Sequence, residues 1–468
     1  MNIDSEICRR ARLARDPRFD GEFFVAVRTT GIYCRPICPA RPPAEKNVQY
    51  FQNATQAAEG GFRPCLRCRP ESAPNSPAWR GSSTTVQRAL DLIRAGALNA
   101  GSLEALADRL GVGERYLRKL FQRELGVSPL AVAQNQRLLF AKKLLMETGM
   151  PMTEVAFASG FGSVRRFNSA VLASFGFTPG DLRRHSRADS SCADIELQLH
   201  YRPPYDWAGV INFFARHAIE GVEQVDADSY QRNILVDGKP GLIRVQPIAG
   251  RNALQLLLRL PAPGELMPIV ARVRRMFDLD ANPTVVREAL QSDPVLGQLI
   301  DDIPGIRSPI QWSVYEATVR AIVGQQVSIQ AARSVCARLV AACNEGSGAS
   351  VFPQPGAIAE LDDSHFPMPG RRRDTLREFC RRSAALENPL DLETFSSLRG
   401  IGPWTTAMVA MRGHGDPDIF PTGDLVLVKA YEALSISLTS SPDLKHTIEN
   451  WRPWRSYAAN LLWRSLST

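Results

Sequence analysis

Two close pairs of cysteines near the start of the chain constrain its fold more than any other feature of the sequence. Cys34 and Cys38 are four positions apart, and Cys65 and Cys68 are three positions apart beyond an intervening loop. A tetrahedral thiolate site for Zn(II) has this arrangement of ligands. The spacing alone favours a purely structural site, because a closed four-cysteine site normally performs no chemistry. We therefore expect one Zn(II) per chain, bound by these four cysteines.

The length and net charge of the chain predict how many domains it has and what kind of partner it binds. The chain has 468 residues, too many for one hydrophobic core, so several domains are expected. The net charge of +8 favours an acidic polymer as a partner, although a mildly basic balance is weak evidence by itself. No apolar run approaches the ~20 residues that cross a bilayer, and the N-terminus lacks the apolar core of a signal peptide. We therefore predict a cytoplasmic protein with no membrane partner.

The other five cysteines need neither a disulfide nor a metal to explain them. Thiols stay reduced in the cytoplasm, so an isolated cysteine is most simply a buried apolar side chain or a plain surface thiol. This interpretation applies to Cys8, Cys192, Cys336, Cys343 and Cys380.

Composition also indicates where domains end. Residues 71–85 are rich in Pro, Ser and Gly, and residues 185–191 are short and polar, so both segments are predicted linkers. A softer boundary falls near residues 301–309. From residue 194 to about residue 280, short alternating runs broken by Pro and Gly predict antiparallel strands. From Ile310 onward the apolar spacing is helical.

The segment between the two linkers contains an internal repeat. Five positions of the first copy recur in the same order in the second: Ala107 as Ala156, Gly111 as Gly160, Leu117 as Phe167, Gly126 as Gly176 and Pro129 as Pro179. Each copy has the pattern of a helix, a tight turn and a second helix. The outer faces of the second helices carry polar side chains, which are Arg115, Arg118 and Lys119, then Arg165, Arg166 and Asn168.

A helix pair with a glycine-containing turn and a basic outer face suits insertion into the major groove of DNA. One copy would be explained equally well as a helical bundle with a solvated basic face, but two copies in register favour DNA binding. The segment resembles the AraC family of transcription activators, with GFGSVRRFNSAVLASFGFTP at residues 160–179 as its strongest landmark. The resemblance implies promoter DNA as a partner of residues 84–187, and RNA polymerase as a second partner.

The surroundings of the cysteine pairs resemble a known family as well. DGEFFVAVRTTGIYCRPICPARPPAEKNVQYF and GFRPCLRCRP are similar to the N-terminal zinc domain of the Ada family, over almost all of residues 1–70. The resemblance implies that Cys34 takes a methyl group from a methylated DNA phosphate, with Cys38, Cys65 and Cys68 as the other zinc ligands. The chemistry is reasonable, because a zinc-held thiolate is a strong nucleophile and the repaired phosphate is a good leaving group.

One part that Ada-like proteins often carry is missing from the sequence. It is a second acceptor domain with a Pro-Cys-His-Arg motif, and both Cys192 and Cys343 have the wrong neighbours for that motif. We therefore predict no repair of O6-alkylguanine.

The segment LRGIGPWTTAMVAMR, residues 398–412, places Gly400 and Gly402 in a tight turn between helical runs. In a helix-hairpin-helix such a turn lets backbone amides approach DNA phosphates, although a plain helix-capping turn has the same pattern. Downstream, IFPTGDLVLVK puts one carboxylate, Asp424, in an otherwise apolar stretch, where it would serve equally well as a helix N-cap.

Five motifs in order make residues 199–463 similar to AlkA-like 3-methyladenine DNA glycosylases: YRPPYDW, RAIVGQQVS, GIGPWTTA, IFPTGDLVLVK and WRPWRSYAANLLW. The resemblance implies a small antiparallel β domain before a helix-hairpin-helix glycosylase that excises alkylated purines. It places the catalytic carboxylate on Asp424 and pocket positions on Trp404, Trp463 and Phe213. An indole face attracts a cationic base by about 0.5–2 kcal/mol. The alternative is that both tryptophans are core residues.

Two positions depart from the family pattern. The residue that fills the gap left by a flipped base is often apolar in the family but falls on Gln326 here, which puts that role in question. Met408 stands where a Tyr is often found, which affects the alkylated bases that fit. Related glycosylases that also nick DNA have Lys at the position of Trp404, so no Schiff base is expected and the enzyme is predicted to be monofunctional. Only Cys380 lies beyond Cys343, too few cysteines for a C-terminal iron-sulfur cluster.

Together these features predict a multidomain α+β protein. Its parts are a four-cysteine zinc α/β domain (1–75), an all-α tandem helix-turn-helix (84–187), a small antiparallel β domain (193–303) and an all-α helix-hairpin-helix glycosylase domain (304–468). The predicted function combines methyl-damage sensing, transcription activation and excision of alkylated purines from double-stranded DNA. Two alternatives stay open: a regulator whose glycosylase half is inactive, and a repair enzyme whose helix-turn-helix only adds non-specific DNA affinity.

Overall fold

The structure is a computed structural model that describes residues 4–74, 84–184, 194–346, 350–385, 392–435 and 444–466. Its contacts divide the chain into two compact units. The first comprises Met1–Pro203, Ile248–Arg274 and Leu279–Asn282, and the second comprises Pro204–Pro247, Arg275–Asp278 and Pro283–Thr468. Within the described residues, no helix combines the length and the hydropathy that crossing a membrane requires.

Residues 4–74 fold around a small mixed sheet. Its elements are α1 (Ser5–Ala14), β1 (Phe24–Val27), β2 (Ile32–Cys34), β3 (Val48–Phe51), α2 (Ala54–Glu59) and β4 (Arg63–Pro64). The strand order is β3-β1-β2-β4, with β2 and β4 parallel and the other pairs antiparallel. Alternate residues of β1 face two small clusters, because Val25 packs with α1 and Ala26 packs with Tyr33 and α2. The predicted small α/β domain is confirmed.

The register of this sheet brings the two cysteine pairs together. Tyr33 pairs with Pro64 on the parallel strands, and the Cys65 amide donates to the Tyr33 carbonyl at 2.9 Å. Cys34 is the last residue of β2 and Cys65 directly follows β4. Because parallel strands end at the same edge of a sheet, one cysteine of each pair leaves the sheet at that edge.

Residues 84–184 form eight helices. They are α3 (Thr84–Arg94), α4 (Ala97–Ala100), α5 (Leu103–Arg109), α6 (Glu114–Leu125), α7 (Pro129–Glu147), α8 (Met152–Ala158), α9 (Val164–Phe175) and α10 (Pro179–Arg184). Gly126 and Gly176 end α6 and α9 in the left-handed conformation, with φ of 68° and 70°. Proline then opens the next helix in both copies, at Pro129 and Pro179. The repeated glycines and prolines are therefore helix ends and helix starts, and the tandem helix-turn-helix is confirmed.

Residues 194–282 contain the predicted antiparallel strands. The elements are β5 (Ile195–His200), α11 (Trp207–His217), β6 (Glu223–Val225), β7 (Tyr230–Val236), β8 (Lys239–Pro247), β9 (Ala253–Arg259) and α12 (Leu266–Met276). In the first unit β5 pairs antiparallel with β9, with Leu197 opposite Leu256. In the second unit β7 pairs antiparallel with β6 and β8. Asp237 and Gly238 both have positive φ at the β7–β8 turn, as the favoured two-residue hairpin requires.

Residues 283–466 contribute eleven helices among the described residues. They are α13 (Pro283–Leu290), α14 (Leu296–Asp302), α15 (Val314–Val323), α16 (Ile329–Cys343), α17 (Pro355–Glu360), α18 (Gly370–Ala384), α19 (Leu392–Ser396), α20 (Pro403–Val409), α21 (Leu425–Ser435), α22 (Leu444–Asn450) and α23 (Arg455–Ser465). A π-helical turn, Ala410–His414, extends α20. Ile322, Leu339 and Phe379 belong to the buried cluster on which α15, α16 and α18 pack. These helices support the hairpin turn between α19 and α20.

The structure describes part of the first predicted linker, residues 71–85, and none of the second, residues 185–191. Residues 185–191 and residues 75–83 lie outside the described residues. The start of the first linker is packed, however, because Pro70–Ser72 form a short 3-10 helix and the Glu71 side chain is buried against Lys142. The prediction was wrong at Glu71, since composition cannot reveal a single buried ion pair. Cys192 also lies outside the described residues.

The scattered cysteines that the structure describes are largely buried, as expected of apolar fillers. Cys8, Cys336 and Cys380 are buried, and Cys343 is half-buried. Burial raises the pKa of the Cys8, Cys336 and Cys380 thiols to about 12, so these thiols stay protonated and inert.

Candidate metal centre and candidate active site

The four predicted zinc ligands converge at the sheet edge of the first unit. The sulfur atoms of Cys34, Cys38, Cys65 and Cys68 all lie within 4.8 Å of one another. Cys34 and Cys38 are half-buried, whereas Cys65 and Cys68 are buried. Cys34 and Cys38 are therefore the more accessible pair.

The donor set fits a thiolate-binding divalent cation. The Arg35 amide donates to the Cys68 sulfur and the Arg67 amide donates to the Cys65 sulfur, both at 3.3 Å, as expected around ionised sulfur. Hydrogen bonds from Cys34 and the other thiols lower the pKa of Cys65, and the bond to Cys38 raises the pKa of Cys34. Zn(II) suits four such ligands.

A buried ion pair shapes the loop between the first two cysteines. The Arg35 guanidinium donates to the Asp20 carboxylate at 2.8 Å and to the Cys68 carbonyl at 3.2 Å. Both charged side chains are almost fully buried. Arg35 therefore links one cysteine pair to the other independently of any metal.

The cysteine centre is also joined to the long helix α7. Lys142 is fully buried on α7, and its Nζ donates to the Cys65 carbonyl at 3.0 Å and to the Glu71 carboxylate at 2.5 Å. Nearby, Arg69 forms an ion pair with Glu147 at 2.9 Å. Sequence reasoning missed Lys142, although a lysine inside the apolar run of α7 was an available signal.

The segment around α2 packs on the helix-turn-helix as well. The Gln56 side chain donates to the Leu125 carbonyl at 2.9 Å, and the buried Asn135 side chain donates to the Thr55 hydroxyl at 3.1 Å. Residues 4–74 and 84–184 therefore share polar contacts within the first unit.

The predicted DNA-reading residues are all exposed. They are Arg115, Arg118 and Lys119 on α6, and Arg165, Arg166 and Asn168 on α9. Arg118 forms an exposed ion pair with Glu114 one turn earlier, at 2.6 Å. Tyr116 is also exposed on α6, and sequence reasoning did not single it out. Contact between these side chains and DNA stays a prediction.

In the second unit, both carboxylate oxygens of Asp424 accept hydrogen bonds. Its Oδ1 accepts from the amides of Val426 and Leu427 at 3.0 and 3.2 Å, which is the N-cap of α21. Its Oδ2 accepts from the indole Nε1 of Trp404 at 3.1 Å. Capping was the alternative explanation of Asp424, and the geometry shows that capping and a fixed, half-buried carboxylate occur together.

The hairpin turn lies next to this pair. Gly400 has φ of +91°, and a Cβ there would lie 2.4 Å from the Thr375 hydroxyl, so only glycine fits. Gly402 is exposed at the N-cap position of α20, whose second residue is Trp404. The predicted glycine turn thus directly precedes the start of α20.

The turn between α15 and α16 is tied to the hairpin. Gln325 donates from Nε2 to the Gly400 carbonyl and to the Thr405 hydroxyl, both at 3.0 Å. Gln326, the predicted wedge position, is exposed and has φ of +56°. Sequence reasoning did not identify Gln325 as the residue that anchors this turn.

Phe213 and Trp463 come together around a buried arginine. The Arg412 guanidinium lies 4.5 Å from the ring centroid of Phe213 and 5.1 Å from that of Trp463. It donates to the Pro309 carbonyl and to Asn460, both at 2.7 Å, and burial lowers its pKa to about 9. Sequence reasoning missed this residue, which lies in the π-helical turn.

Met408, the other predicted pocket residue, is half-buried and packs against the cluster of α15, α16 and α18. The predicted residues therefore fall into two groups. Trp404 donates a hydrogen bond to Asp424. The rings of Phe213 and Trp463 both lie against the Arg412 guanidinium.

Family models match four segments of the chain. The metal binding domain of Ada matches residues 7–71, and a helix-turn-helix domain matches residues 106–185. The AlkA N-terminal domain matches residues 196–313, and the HhH-GPD superfamily base excision DNA repair protein matches residues 319–456. These matches confirm the resemblances that the motifs indicated.

Three curated relatives extend these matches. A Mycobacterium tuberculosis protein named probable bifunctional transcriptional activator/DNA repair enzyme AlkA is 39% identical over 485 residues, covering 100% of this chain and 97% of the relative. Escherichia coli DNA-3-methyladenine glycosylase 2 is 30% identical over 57% of this chain and 95% of its own. Escherichia coli bifunctional transcriptional activator/DNA repair enzyme Ada is 36% identical over 36% of this chain and 47% of its own.

Proposed function

From the premise that the chain belongs to the family of bifunctional transcriptional activator/DNA repair enzymes AlkA, we propose how its residues divide the work. The cysteine centre accepts a methyl group from alkylated DNA, the helix-turn-helix activates promoters, and the second unit excises alkylated purines of the 3-methyladenine type. The observation that carries the excision proposal is the Asp424 carboxylate, fixed by two helix amides and the Trp404 indole beside a hairpin.

In the methyl-transfer step we assign the acceptor to Cys34. Cys34 is half-buried, whereas Cys65 and Cys68 are buried; Cys38 is half-buried as well, and the family resemblance decides between Cys34 and Cys38. A sulfur–carbon bond forms, the carbon–oxygen bond of the methyl phosphotriester breaks, and the repaired phosphodiester leaves as an anion. Bound Zn(II) keeps the sulfurs ionised at neutral pH. Each chain performs this step once.

In the excision step Asp424 acts on a nucleotide flipped out of the helix. Its ionised carboxylate stabilises the positive charge that develops on the sugar as the glycosidic bond breaks, or it activates the attacking water. The three N–H donors fix the orientation of the carboxylate without occupying it with a countercharge. Because Trp404 stands where a Schiff-base lysine would be needed, the product is an intact abasic site.

For the regulatory part, the exposed basic faces of α6 and α9 support major-groove binding. Contacts of Asn135 and Lys142 with residues 4–74 support a signal passing from the cysteine centre to the DNA reader. RNA polymerase as a partner and a cytoplasmic location stay predictions.

One experiment tests both chemistries. The intact protein is incubated with methylated duplex DNA, and mass analysis then follows the peptide that contains Cys34 and the released bases. Cys34→Ala should lose protein methylation and keep base release, whereas Asp424→Asn should do the reverse. Protein methylation without any base release by the unmodified protein would favour the regulator with an inactive glycosylase half. Trapping of a covalent DNA adduct by borohydride would contradict the monofunctional assignment.

A further inference from the structure

We propose that Arg412 sets how strongly the enzyme prefers cationic over neutral damaged bases, because its buried charge lies behind the aromatic rings that the base would contact. The proposal rests on the proposed excision function and on Trp463 as a pocket position. It assigns a role to a charged side chain that neither chemical step uses.

The charge of Arg412 is buried without a counter-ion. Arg412 is only 6% exposed, and no carboxylate among the described residues forms an ion pair with it. By contrast, Arg232 and Arg320 of the same unit both pair with Glu316, at 2.9 and 2.6 Å. Burial lowers the pKa of Arg412 to about 9, which still leaves the guanidinium protonated at pH 7. Its positive charge therefore acts on whatever lies nearby, with no neighbouring carboxylate to cancel it.

Two hydrogen bonds fix the position of this charge. The guanidinium donates to the Pro309 carbonyl and to the Asn460 side-chain oxygen, both at 2.7 Å. The Asn460 amide nitrogen donates in turn to the Ser456 carbonyl at 2.7 Å and to the Ser308 hydroxyl at 3.2 Å. These bonds direct the Asn460 oxygen toward the guanidinium. The cation is thus part of a rigid network and cannot move away when a base enters.

The backbone connects Arg412 to the catalytic carboxylate. Arg412 lies about two helical turns after Trp404, on the helix formed by α20 and its π-helical extension. Near the start of the same helix, the Trp404 indole donates to Asp424. Single π-helical turns are rare and frequently occur at functional sites. One helix therefore carries the residue that orients the carboxylate and the cation behind the pocket rings.

The guanidinium covers one side of each ring. It lies over the rings of Phe213 and Trp463, at 4.5 and 5.1 Å from their centroids, which is within cation–π range. Both aromatic residues are half-buried, so part of each side chain stays accessible. A base stacked on the other face of Trp463 at about 3.5–4 Å would hold its own charge about 9 Å from the guanidinium.

The sign of the effect follows from this arrangement. An indole alone attracts a cationic base more than a neutral one. Two unit charges about 9 Å apart at an effective dielectric near 20 repel enough to change a binding ratio roughly twentyfold before screening. Arg412 therefore offsets the attraction of the indole for cationic bases. A neutral damaged purine such as hypoxanthine keeps the stacking and meets no repulsion.

The test measures single-turnover release of 7-methylguanine, which is cationic in DNA, and of hypoxanthine, which is neutral, from otherwise identical duplexes. Arg412→Met removes the charge at similar length and should raise the ratio of 7-methylguanine release to hypoxanthine release about tenfold. Arg412→Lys keeps the charge and should change the ratio by less than about threefold. The greater lability of the cationic nucleotide cancels, because the ratios are compared between variants.

Arg307→Met is the matched control. Arg307 is also buried, lies 4.6 Å from the ring centroid of Tyr205 and donates to the Gly305 and Pro204 carbonyls. Its loss should destabilise the fold and leave the release ratio unaltered, because structural damage slows both releases alike.

A second readout needs no turnover. In an Asp424→Asn background, the affinities of duplexes that contain 7-methylguanine or its uncharged 7-deaza analogue are compared, since the two bases have the same shape. With Arg412 intact the two affinities should agree within about threefold, because repulsion offsets the cation–π attraction. Adding Arg412→Met should favour the cationic duplex about tenfold. The first value requires no folded variant at position 412.

The outcomes separate this proposal from the proposed function. If the unaltered protein releases neither base, the excision proposal fails, and the two affinities still decide the role of Arg412. If both bases are released but Arg412→Met leaves their ratio unaltered, only the Arg412 proposal is overturned. Equal shifts in Arg412→Lys and Arg412→Met would overturn it as well. So would a preference of about tenfold or more for the cationic duplex while Arg412 is intact.

Discussion

The cysteine centre and the Asp424 site differ in what holds them together. All four cysteines lie within residues 34–68, and their sulfurs lie within 4.8 Å of one another, as ligands of one cation do. Asp424 is instead fixed by helix amides and by an indole from another helix. The first site depends on a metal and can be recognised from local spacing. The second depends on a hydrogen bond between the side chain of Trp404 on α20 and the carboxylate at the start of α21, which local spacing does not reveal.

Metal removal should produce the largest effect and should touch only one of the two sites. Structural zinc contributes about 10–16 kcal/mol in small metal-dependent domains, so chelation or Cys65→Ser should destabilise residues 4–74 strongly. We expect loss of one zinc equivalent, protease sensitivity in that segment and unchanged base release. A metal-free protein with a protease-resistant N-terminal segment would contradict this expectation.

Asp424→Asn should have the opposite effect to metal removal: excision should be lost and the cysteine centre should stay intact. Base release should fall by about a thousandfold, because charge stabilisation at the sugar is lost. Asparagine is also a good N-cap, so α21 should persist and DNA affinity should be equal or slightly higher with one negative charge removed. The measurements are single-turnover release and DNA titration. Release close to the unaltered rate would exclude Asp424 as the catalytic carboxylate.

Lys142→Met should show whether the cysteine centre depends on protein contacts as well as on metal. Removing one partner of a buried pair costs about 3–5 kcal/mol, and here it would leave Glu71 buried. We expect the free energy of unfolding of the first unit to fall by about that amount, in denaturant titrations of the zinc-loaded protein. The double variant with Glu71→Gln should be milder, since it removes the buried carboxylate, which without Lys142 would keep only the 3.6 Å ion pair with Arg69. Equal stability of the single variant and the unaltered protein would show that metal alone holds the centre.

Trp404→Phe tests whether a hydrogen bond holds the second site. An aromatic ring is kept, although phenyl is smaller than indole, and the N–H to Asp424 is lost, so excision should slow by about tenfold, with the change in kcat rather than in KM. Trp207→Phe is the matched control, because its indole N–H donates to the Ala227 carbonyl instead. If both variants excise at the unaltered rate, Trp404 serves only as an aromatic surface.

The sequence predicted features that depend on local geometry. The cysteine spacing, the glycine at each helix end and the glycine hairpin follow from what a tetrahedral site, a left-handed cap and a tight turn require. Family resemblance supplied the order of the domains. Even the capping by Asp424 was an alternative that the sequence offered, because an N-cap involves only adjacent residues.

The sequence did not predict features that arise when distant segments meet. Lys142 is buried only because residues 65–71 cover α7, whereas a lysine is ordinarily exposed. Arg412 likewise lies between two rings from opposite ends of the second unit's sequence. No local pattern encodes either contact. Glu71 was assigned to a linker for the same reason.

The smallest expected effect concerns communication between the cysteine centre and the DNA reader. We expect methylation of Cys34 to tighten promoter binding by residues 84–184. Four thiolates around Zn(II) carry net negative charge that repels phosphate, and methylation removes one unit of it. At an effective dielectric near 20, one unit charge about 4 Å from a phosphate is worth about 4 kcal/mol before screening. A quarter of that value would change affinity about fivefold.

The salt dependence of promoter affinity distinguishes two possible causes of the tighter binding: electrostatic repulsion and a signal passed through packed side chains. An electrostatic effect should shrink as salt rises, because the Debye length falls from ~30 Å at 0.01 M to ~8 Å at 0.15 M. A switch passed through the Lys142 contact should instead survive salt and disappear in Lys142→Met. The measurement is a salt series of promoter affinities for methylated and unmethylated protein, with Cys34→Ala as the control. Equal affinities at low salt would leave the cysteine centre and the helix-turn-helix as independent modules, even though they share a buried polar interface.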